Sequence, residues 1–383
     1  MTVTAPGGFR AAGLAVGIKQ SGQPDLAIVI NDGPSDAAAG VFTANRVKAA
    51  PVLWTQQVAA GGRVRAVVLN SGGANACTGP EGFADTHHTA ERLAKALSAS
   101  AGEIAVCSTG LIGDRLPMDR LLPGVDSVAA AASAGGGAAA ADAIRTTDTV
   151  PKTCQVSGSG YTIGGMAKGA AMLAPALATM LAVLTTDADL PAAELDAALR
   201  TATAATFDRL DTDGCMSTND TVLLLASGAS GVRPDTGEFA ARLAGCCGDL
   251  ARQMQLDAEG AGKAIDIEVT GAASVDDAVT VGRAVARSAL LKCAIAGEDP
   301  NWGRVLAAAG TTAAAFEPDR INVAINGVWV CRNGYAAQDR SGVDLRPRDV
   351  TITVDLSAGP HAATIRTTDL TEAYVHENSA YST

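Results

Sequence analysis

The run Gly165-Met166-Ala167-Lys168-Gly169-Ala170-Ala171-Met172-Leu173-Ala174-Pro175-Ala176-Leu177-Ala178-Thr179-Met180-Leu181-Ala182 lies near the middle of a chain of 383 residues. Glycine and proline punctuate turns, and the apolar residues after Thr179 suit a buried strand. The plain reading is therefore a buried turn that enters a strand. Thr179 also has small, apolar neighbours, which leave its hydroxyl room to attack the backbone carbonyl of Ala178. The rest of the sequence is read outward from position 179.

Apolar residues make up 48% of the chain and aromatic ones only 3%, so the core must pack through small side chains and close backbone approach. The length allows one large core or two domains. A net charge of −11 argues against nucleic acid or an anionic membrane as the main partner, because phosphate binding needs clustered Lys and Arg. Positive groups for an anionic substrate must then be concentrated locally. No apolar run approaches the roughly 20 residues of a membrane span. The start, Met1-Thr2-Val3-Thr4-Ala5-Pro6, lacks the basic and apolar regions of a secretory signal. The eight cysteines form no CxxC pair and are expected to be reduced thiols of a cytoplasmic protein. The four histidines have no spacing suited to zinc, and no metal is expected.

Short apolar runs bounded by turn residues predict strands at 14–19, 26–30, 64–70, 104–107, 179–184, 222–226 and 265–269. Pro191 opens a helix whose one face carries Leu195, Ala198, Leu199 and Ala202. Phe239, Leu243, Cys247, Leu250 and Met254 mark a second helix, and 285–291 lies in a third. Asn326-Gly327 signals a hairpin. The Ala-rich stretch 129–142, broken by Gly135-Gly136-Gly137, reads as a linker or frayed helix. Strands and helices mix without strict alternation, which points to α+β with mixed sheets.

Several further segments accompany the central run: Asn70-Ser71-Gly72-Gly73-Ala74-Asn75, Cys107-Ser108-Thr109-Gly110, Thr146-Thr147-Asp148-Thr149, Ser217-Thr218-Asn219-Asp220-Thr221, Asp299-Pro300-Asn301-Trp302-Gly303-Arg304 and the closing Asn378-Ser379-Ala380-Tyr381-Ser382-Thr383. With them, from about residue 8 onward, the chain resembles the ornithine acetyltransferases, the glutamate N-acetyltransferase family of arginine biosynthesis. It departs from the family's common pattern at Ala170-Ala171, Gly73 and Cys215-Met216, none of which is the proposed nucleophile.

The resemblance implies a four-layer α/β/β/α arrangement of mixed sheets with a smaller C-terminal α/β domain, divided here as 1–245 and 246–383. It also implies self-cleavage between Ala178 and Thr179. Cleavage makes chemical sense: a mid-chain threonine hydroxyl has no base beside it, whereas a freed α-amine, with an unperturbed pKa of about 7.7–8.0, can serve as one at neutral pH. The family places Thr109 and Gly110 in the oxyanion site, and a glycine lets a backbone N–H come close without side-chain interference. Lys168 is the natural partner of a substrate carboxylate. Glu259 suits a substrate ammonium, and Thr147, Asn378 and Thr383 match family substrate contacts. No resident cofactor is implied, and acetyl-CoA enters only as a second acetyl donor. The partners implied are N-acetylornithine, glutamate and the chain's own cleaved pieces in an α2β2 heterotetramer.

Two other classes compete. An amidase or aminopeptidase of the same self-cleaving architecture would use water as acceptor, since a fold does not choose the acceptor. A non-catalytic binding protein would stay in one piece. Intact-mass measurement of purified protein is expected to show residues 1–178 and 179–383 as separate species, with Thr179→Ala uncut and Thr179→Ser still cut. A full-length species that persists on long incubation would defeat the cleavage reading.

Overall fold

The computed structural model describes residues 2–173 and 180–380. The first part of the chain runs β1 (Phe9–Leu14), β2 (Leu26–Asn31), β3 (Ala37–Phe42), α1 (Ala50–Ala60), β4 (Ala66–Ser71), α2 (Gly79–Leu97), β5 (Ile104–Thr109), α3 (Met118–Ala131) and α4 (Gly137–Ala143). It continues with β6 (Lys152–Ser157), β7 (Thr162–Lys168), β8 (Leu181–Thr186), α5 (Ala192–Ala205), β9 (Thr221–Ala226) and α6 (Thr236–Leu256).

These strands form two mixed sheets, ordered β1-β2-β4-β5 and β3-β9-β8-β7-β6. The β4–β5 and β8–β9 pairs are parallel and the other pairings antiparallel. Side chains alternate across a strand, and both faces here are covered. In β4, Ala66 and Val68 join the core against Leu93 of α2 and Leu121 and Val125 of α3. Val67 and Leu69 point the other way, into a core shared with Met166, Leu181, Val183 and Leu223 of the second sheet. The far face of that sheet, with Ile163, Leu184 and Leu224, packs on Leu195 and Leu199 of α5 and Leu243 and Leu250 of α6. The order of layers is thus helix, sheet, sheet, helix, as the sequence led one to expect. Each fully buried Val or Leu contributes about 1.5–3 kcal/mol to holding it.

A third, six-stranded sheet follows, built from β10 (Ala264–Ala272), β11 (Asn322–Ile325), β12 (Val328–Arg332), β13 (Tyr335–Ala336), β14 (Asp349–Asp355) and β15 (His361–Thr368). Val281 and Val285 of α7 (Val275–Ala286) and Val305 of α9 (Trp302–Ala309) pack on it, with α8 (Ala289–Ala296) between them in the chain. The hairpin turn between β11 and β12 has Asn326 at φ 46° and Gly327 at φ 81°, the left-handed pair that a type I′ turn requires. The chain division after residue 245 falls inside α6, and the third sheet starts at Ala264. The last helix is α10 (Glu372–Ala380). Among the described residues no helix is long and apolar enough to cross a membrane.

Four local expectations are corrected. Residues 15–19 are not a strand: the buried Asp25 carboxylate accepts the N–H groups of Val16, Gly17, Ile18 and Lys19 at 2.6–3.1 Å and curls that segment around itself. Of the two readings of the Ala-rich 129–142, the linker fails and the helix holds in packed rather than frayed form: the stretch ends α3 and forms most of α4, with Ala140, Ala141 and Ala143 fully buried. Here the small residues matter, since a Cβ on Gly13 of β1 would lie 2.0 Å from the Ala139 carbonyl oxygen. Residues 285–291 straddle a break, because the Ser288 hydroxyl caps a new helix by accepting from Leu291 N–H. Cys154 on β6 and Cys246 on α6 are joined as a disulfide, so not all thiols are reduced.

The predicted strand start at Thr179 lies outside the described residues; β8 itself begins at Leu181, paired with Lys168 of β7. A cut at 178/179 would leave β7 in one piece and β8 and β9 in the other, inside one sheet. The pieces should therefore stay together under native, reducing conditions and separate only on denaturation. Sedimentation of two independent species in native buffer would contradict this.

Candidate active site

Segments distant in sequence meet where β4 and β5 end and β9 begins. Thr109 closes β5, and its carbonyl accepts the N–H groups of Gly72 and Gly73 at 2.9 and 3.0 Å. Gly110 follows at φ +133°, and a Cβ there would sit 2.5 Å from the Gly73 nitrogen, so only glycine fits this crossing. Asn70 binds both sides of the crossing, donating to the Gly73 carbonyl at 2.9 Å and accepting from the Ser108 hydroxyl at 2.6 Å. Asn219 reaches in from the loop before β9 and donates to the carbonyls of Ala74 and Ser108 at 2.7 and 2.8 Å. A buried net of this kind holds backbone atoms in one arrangement, as an oxyanion site must.

Lys168 ends β7 inside the same region and is almost completely buried. Its ammonium lies 3.4 Å from the Thr109 hydroxyl. Burial pushes the Lys168 pKa down, opposed by the Asp148 carboxylate 4.0 Å away. Burial also disfavours the charge on Asp148, yet Lys168, Lys152 and the Gly169 N–H together bring it down to about 2. Asp148 thus stays ionised, and so supports a charged Lys168 next to Thr109.

The remaining predicted residues divide. Glu259 is largely buried, and its N–H donates to the Ala170 carbonyl at 2.9 Å, which brings it to the turn after Lys168. Its charge acts on Lys168. Thr147 and Glu259 line one cavity of about 790 Å³, together with Asp257, Thr371 and Glu377. A second cavity, about 720 Å³, has Thr147 and Gly110 in its wall with Gly73 and Arg115. Thr147 faces both. Asn378 sits exposed on α10, donates to the Tyr374 carbonyl within its own helix and follows Glu377 of the first cavity in the chain. Ala178, Thr179 and Thr383 lie outside the described residues.

Sequence reading missed Asp220. Buried completely, it accepts the Met180 N–H at 3.1 Å, one residue after the expected cleavage point. Burial pushes its carboxyl well above the usual range, against the hydrogen bond from Met180 and the charge of Lys168. On the other side of the segment, Thr212 N–H donates to the Leu173 carbonyl at 2.6 Å and the Asp213 carboxylate accepts from Leu173 N–H at 3.3 Å. One loop, 211–220, thereby holds both flanks of residues 174–179. The signal available in sequence was the position of Asp220 in the Ser-Thr-Asn-Asp-Thr segment just before an apolar strand.

The sequence matches the ArgJ family over residues 10–383. This chain belongs to the ArgJ family. It is 70% identical to the arginine biosynthesis bifunctional protein ArgJ of Thermobifida fusca over 383 residues, all of both chains. Against the same protein of Streptomyces avermitilis the identity is 67% over 382 residues, again 100% of both. A solved ornithine acetyltransferase of Mycobacterium tuberculosis, complexed with ornithine, aligns at 62% identity over 47% of this chain and 96% of its own, with a TM-score of 0.43. The family resemblance of the sequence therefore holds.

The depressed Asp148 carboxylate has a consequence for acid stability. Its folded-state pKa of about 2 lies below the ordinary 3.9 or so, so its contribution is fully present above the ordinary value and is lost as pH falls toward 2. Asp148→Asn should flatten part of the fall in melting temperature between about pH 4 and pH 2. An unchanged acid limb would show that the lysines do not hold this carboxylate.

Proposed function

We propose that this chain transfers the acetyl group of N2-acetyl-L-ornithine to L-glutamate through an ester on Thr179, a step of arginine biosynthesis. The observation that carries the reading is the buried meeting of the Thr109 hydroxyl, the Gly110 crossing and the Lys168 ammonium, with Met180 held by Asp220 beside them.

The Thr179 hydroxyl first attacks the Ala178 carbonyl carbon. The 178–179 C–N bond breaks as the acyl group shifts to oxygen, and water then hydrolyses the ester. Ala178 becomes a carboxylate, and Thr179 regains its hydroxyl with a free amine beside it. In the transfer cycle that amine takes the hydroxyl proton as the oxygen attacks the acetyl carbon of N-acetylornithine. The Thr109 hydroxyl and the Gly110 N–H stabilise the oxyanion. The acetyl C–N bond breaks, the proton passes to the leaving nitrogen, and ornithine departs. Glutamate's amine then attacks the ester and restores the Thr179 hydroxyl. Lys168 holds the α-carboxylate that both substrates share, and Glu259 faces the ornithine ammonium.

The cleaved pieces act as an α2β2 heterotetramer in the cytoplasm, without a resident cofactor or metal and without nucleic acid or membrane as partner. Thr147, Asn378 and Thr383 contribute to the substrate site. Bifunctional relatives make acetyl-CoA the second donor to assay.

Supplied with N-acetylornithine and glutamate, the enzyme should yield N-acetylglutamate and ornithine in equal amounts. Free acetate as the main product would favour the amidase reading instead. Thr109→Ala should slow both cleavage and transfer by about 10²–10³-fold. Transfer at the wild-type rate in that variant would move the oxyanion site elsewhere.

A further inference from the structure

Behind Lys168 stands a second buried lysine with no part in the chemistry above. Lys152, the first residue of β6, is fully buried. Its ammonium bonds the Asp148 carboxylate at 2.6 Å and the Asp257 carboxylate at 2.5 Å, with the Val150 carbonyl at 3.5 Å. Asp257 is held as well by the N–H of Thr149 at 3.0 Å and by its hydroxyl.

The way Asp148 divides its bonds matters for Lys168. One carboxylate oxygen accepts from Lys152 and from Gly169 N–H, at 2.6 and 2.7 Å, and the other accepts Thr146 N–H at 3.1 Å. Both oxygens are thus supplied before Lys168 is reached. Lys168 remains 4.0 Å from Asp148, beyond hydrogen-bond reach, close enough to feel its charge but not bound to it. Among the described residues its hydrogen-bond partner is the Thr109 hydroxyl, at a long 3.4 Å. An ammonium has three donors, so Lys168 keeps capacity for an incoming carboxylate.

We propose that Lys152 is a positioning residue for substrate binding, which occupies Asp148 and so keeps the Lys168 ammonium available to the substrate α-carboxylate. The inference rests on the reading that Lys168 binds that carboxylate. Without Lys152, Asp148 is a buried carboxylate lacking its hydrogen-bonded ammonium, and Lys168, 4.0 Å away, is the cation left to take that place. Closing the gap would satisfy both groups and turn Asp148 into an internal competitor of the substrate. Asp148 and the partly buried Asp257 also offset the charge of Lys152, which limits the penalty of burying it.

The test is steady-state kinetics on the cleaved enzyme. Lys152→Met should raise KM for N-acetylornithine and for glutamate together by about tenfold or more, the scale of a lost hydrogen bond to a charged group, with kcat changed much less. Adding Asp148→Asn to it removes the competitor and should lower both KM values by about threefold or more from those of Lys152→Met, short of full recovery because the same change removes the charge that supports Lys168. A purely structural role would lower activity without that rescue. Lys152→Gln, which keeps a donor toward Asp148, should show a smaller rise than Met and serves if the Met variant does not fold. Unchanged KM values in the folded single variants, or a double variant no better than Lys152→Met, would overturn the proposal. Lys168→Ala tests the underlying reading by itself. If it leaves both KM values unchanged, Lys168 does not bind the carboxylate, whatever Lys152 does.

Discussion

Thr109 and Lys168 end strands of different sheets, yet their side chains meet 3.4 Å apart in the buried interior. This contact depends on how closely the two sheets lie and on where each strand stops. Closeness comes from composition: the shared core is built from Val, Leu and Ala with hardly an aromatic ring. Strand ends are set by hydrogen bonds of particular side chains, above all Asn70 and Asn219, which hold the loops after β4 and β5 in one arrangement. Loosening either the packing or the loops would part the hydroxyl from the ammonium.

Charge in this acidic protein follows the same economy of space. The ammonium that meets the Thr109 hydroxyl, that of Lys168, is buried and faces the Asp148 carboxylate 4.0 Å away. Asp148 is kept ionised at about 2, while Asp220, lacking a neighbouring cation of comparable influence, is pushed the opposite way by burial. The two aspartates are thus shifted in opposite directions, because two lysines outweigh burial at Asp148 while burial dominates at Asp220. Asp148 supports Lys168, and Asp220 holds the backbone at Met180.

Much of this was legible in the sequence because the strands and helices obey local rules. β4, β5 and β9 are buried on both faces and read as unbroken apolar runs, while α5 and α6 show a clear 3.6-residue stripe. The failures have non-local causes. Nothing near residues 14–19 announces that Asp25 will gather four of their N–H groups, and an Ala-rich segment becomes a buried helix only because Gly13 lets it approach β1. Of the site, Thr109, Gly110, Lys168, Thr147 and Glu259 could be named from motifs, since family pattern and chemistry agreed. Lys152 could not, because a lysine opening a strand looks solvated until the fold buries it. Asn378 sits exposed on α10, next in the chain to the cavity-lining Glu377.

The central claim is that Thr179 becomes an N-terminal nucleophile carrying the acetyl group. Mass spectrometry of the purified enzyme after exposure to N-acetylornithine alone tests it most directly. The piece beginning at Thr179 should become heavier by one acetyl group, located on Thr179, with one ornithine released per site, and should lose it on addition of glutamate. An enzyme that turns over while residue 179 stays unmodified, or that carries the acetyl group on another residue, would contradict the account.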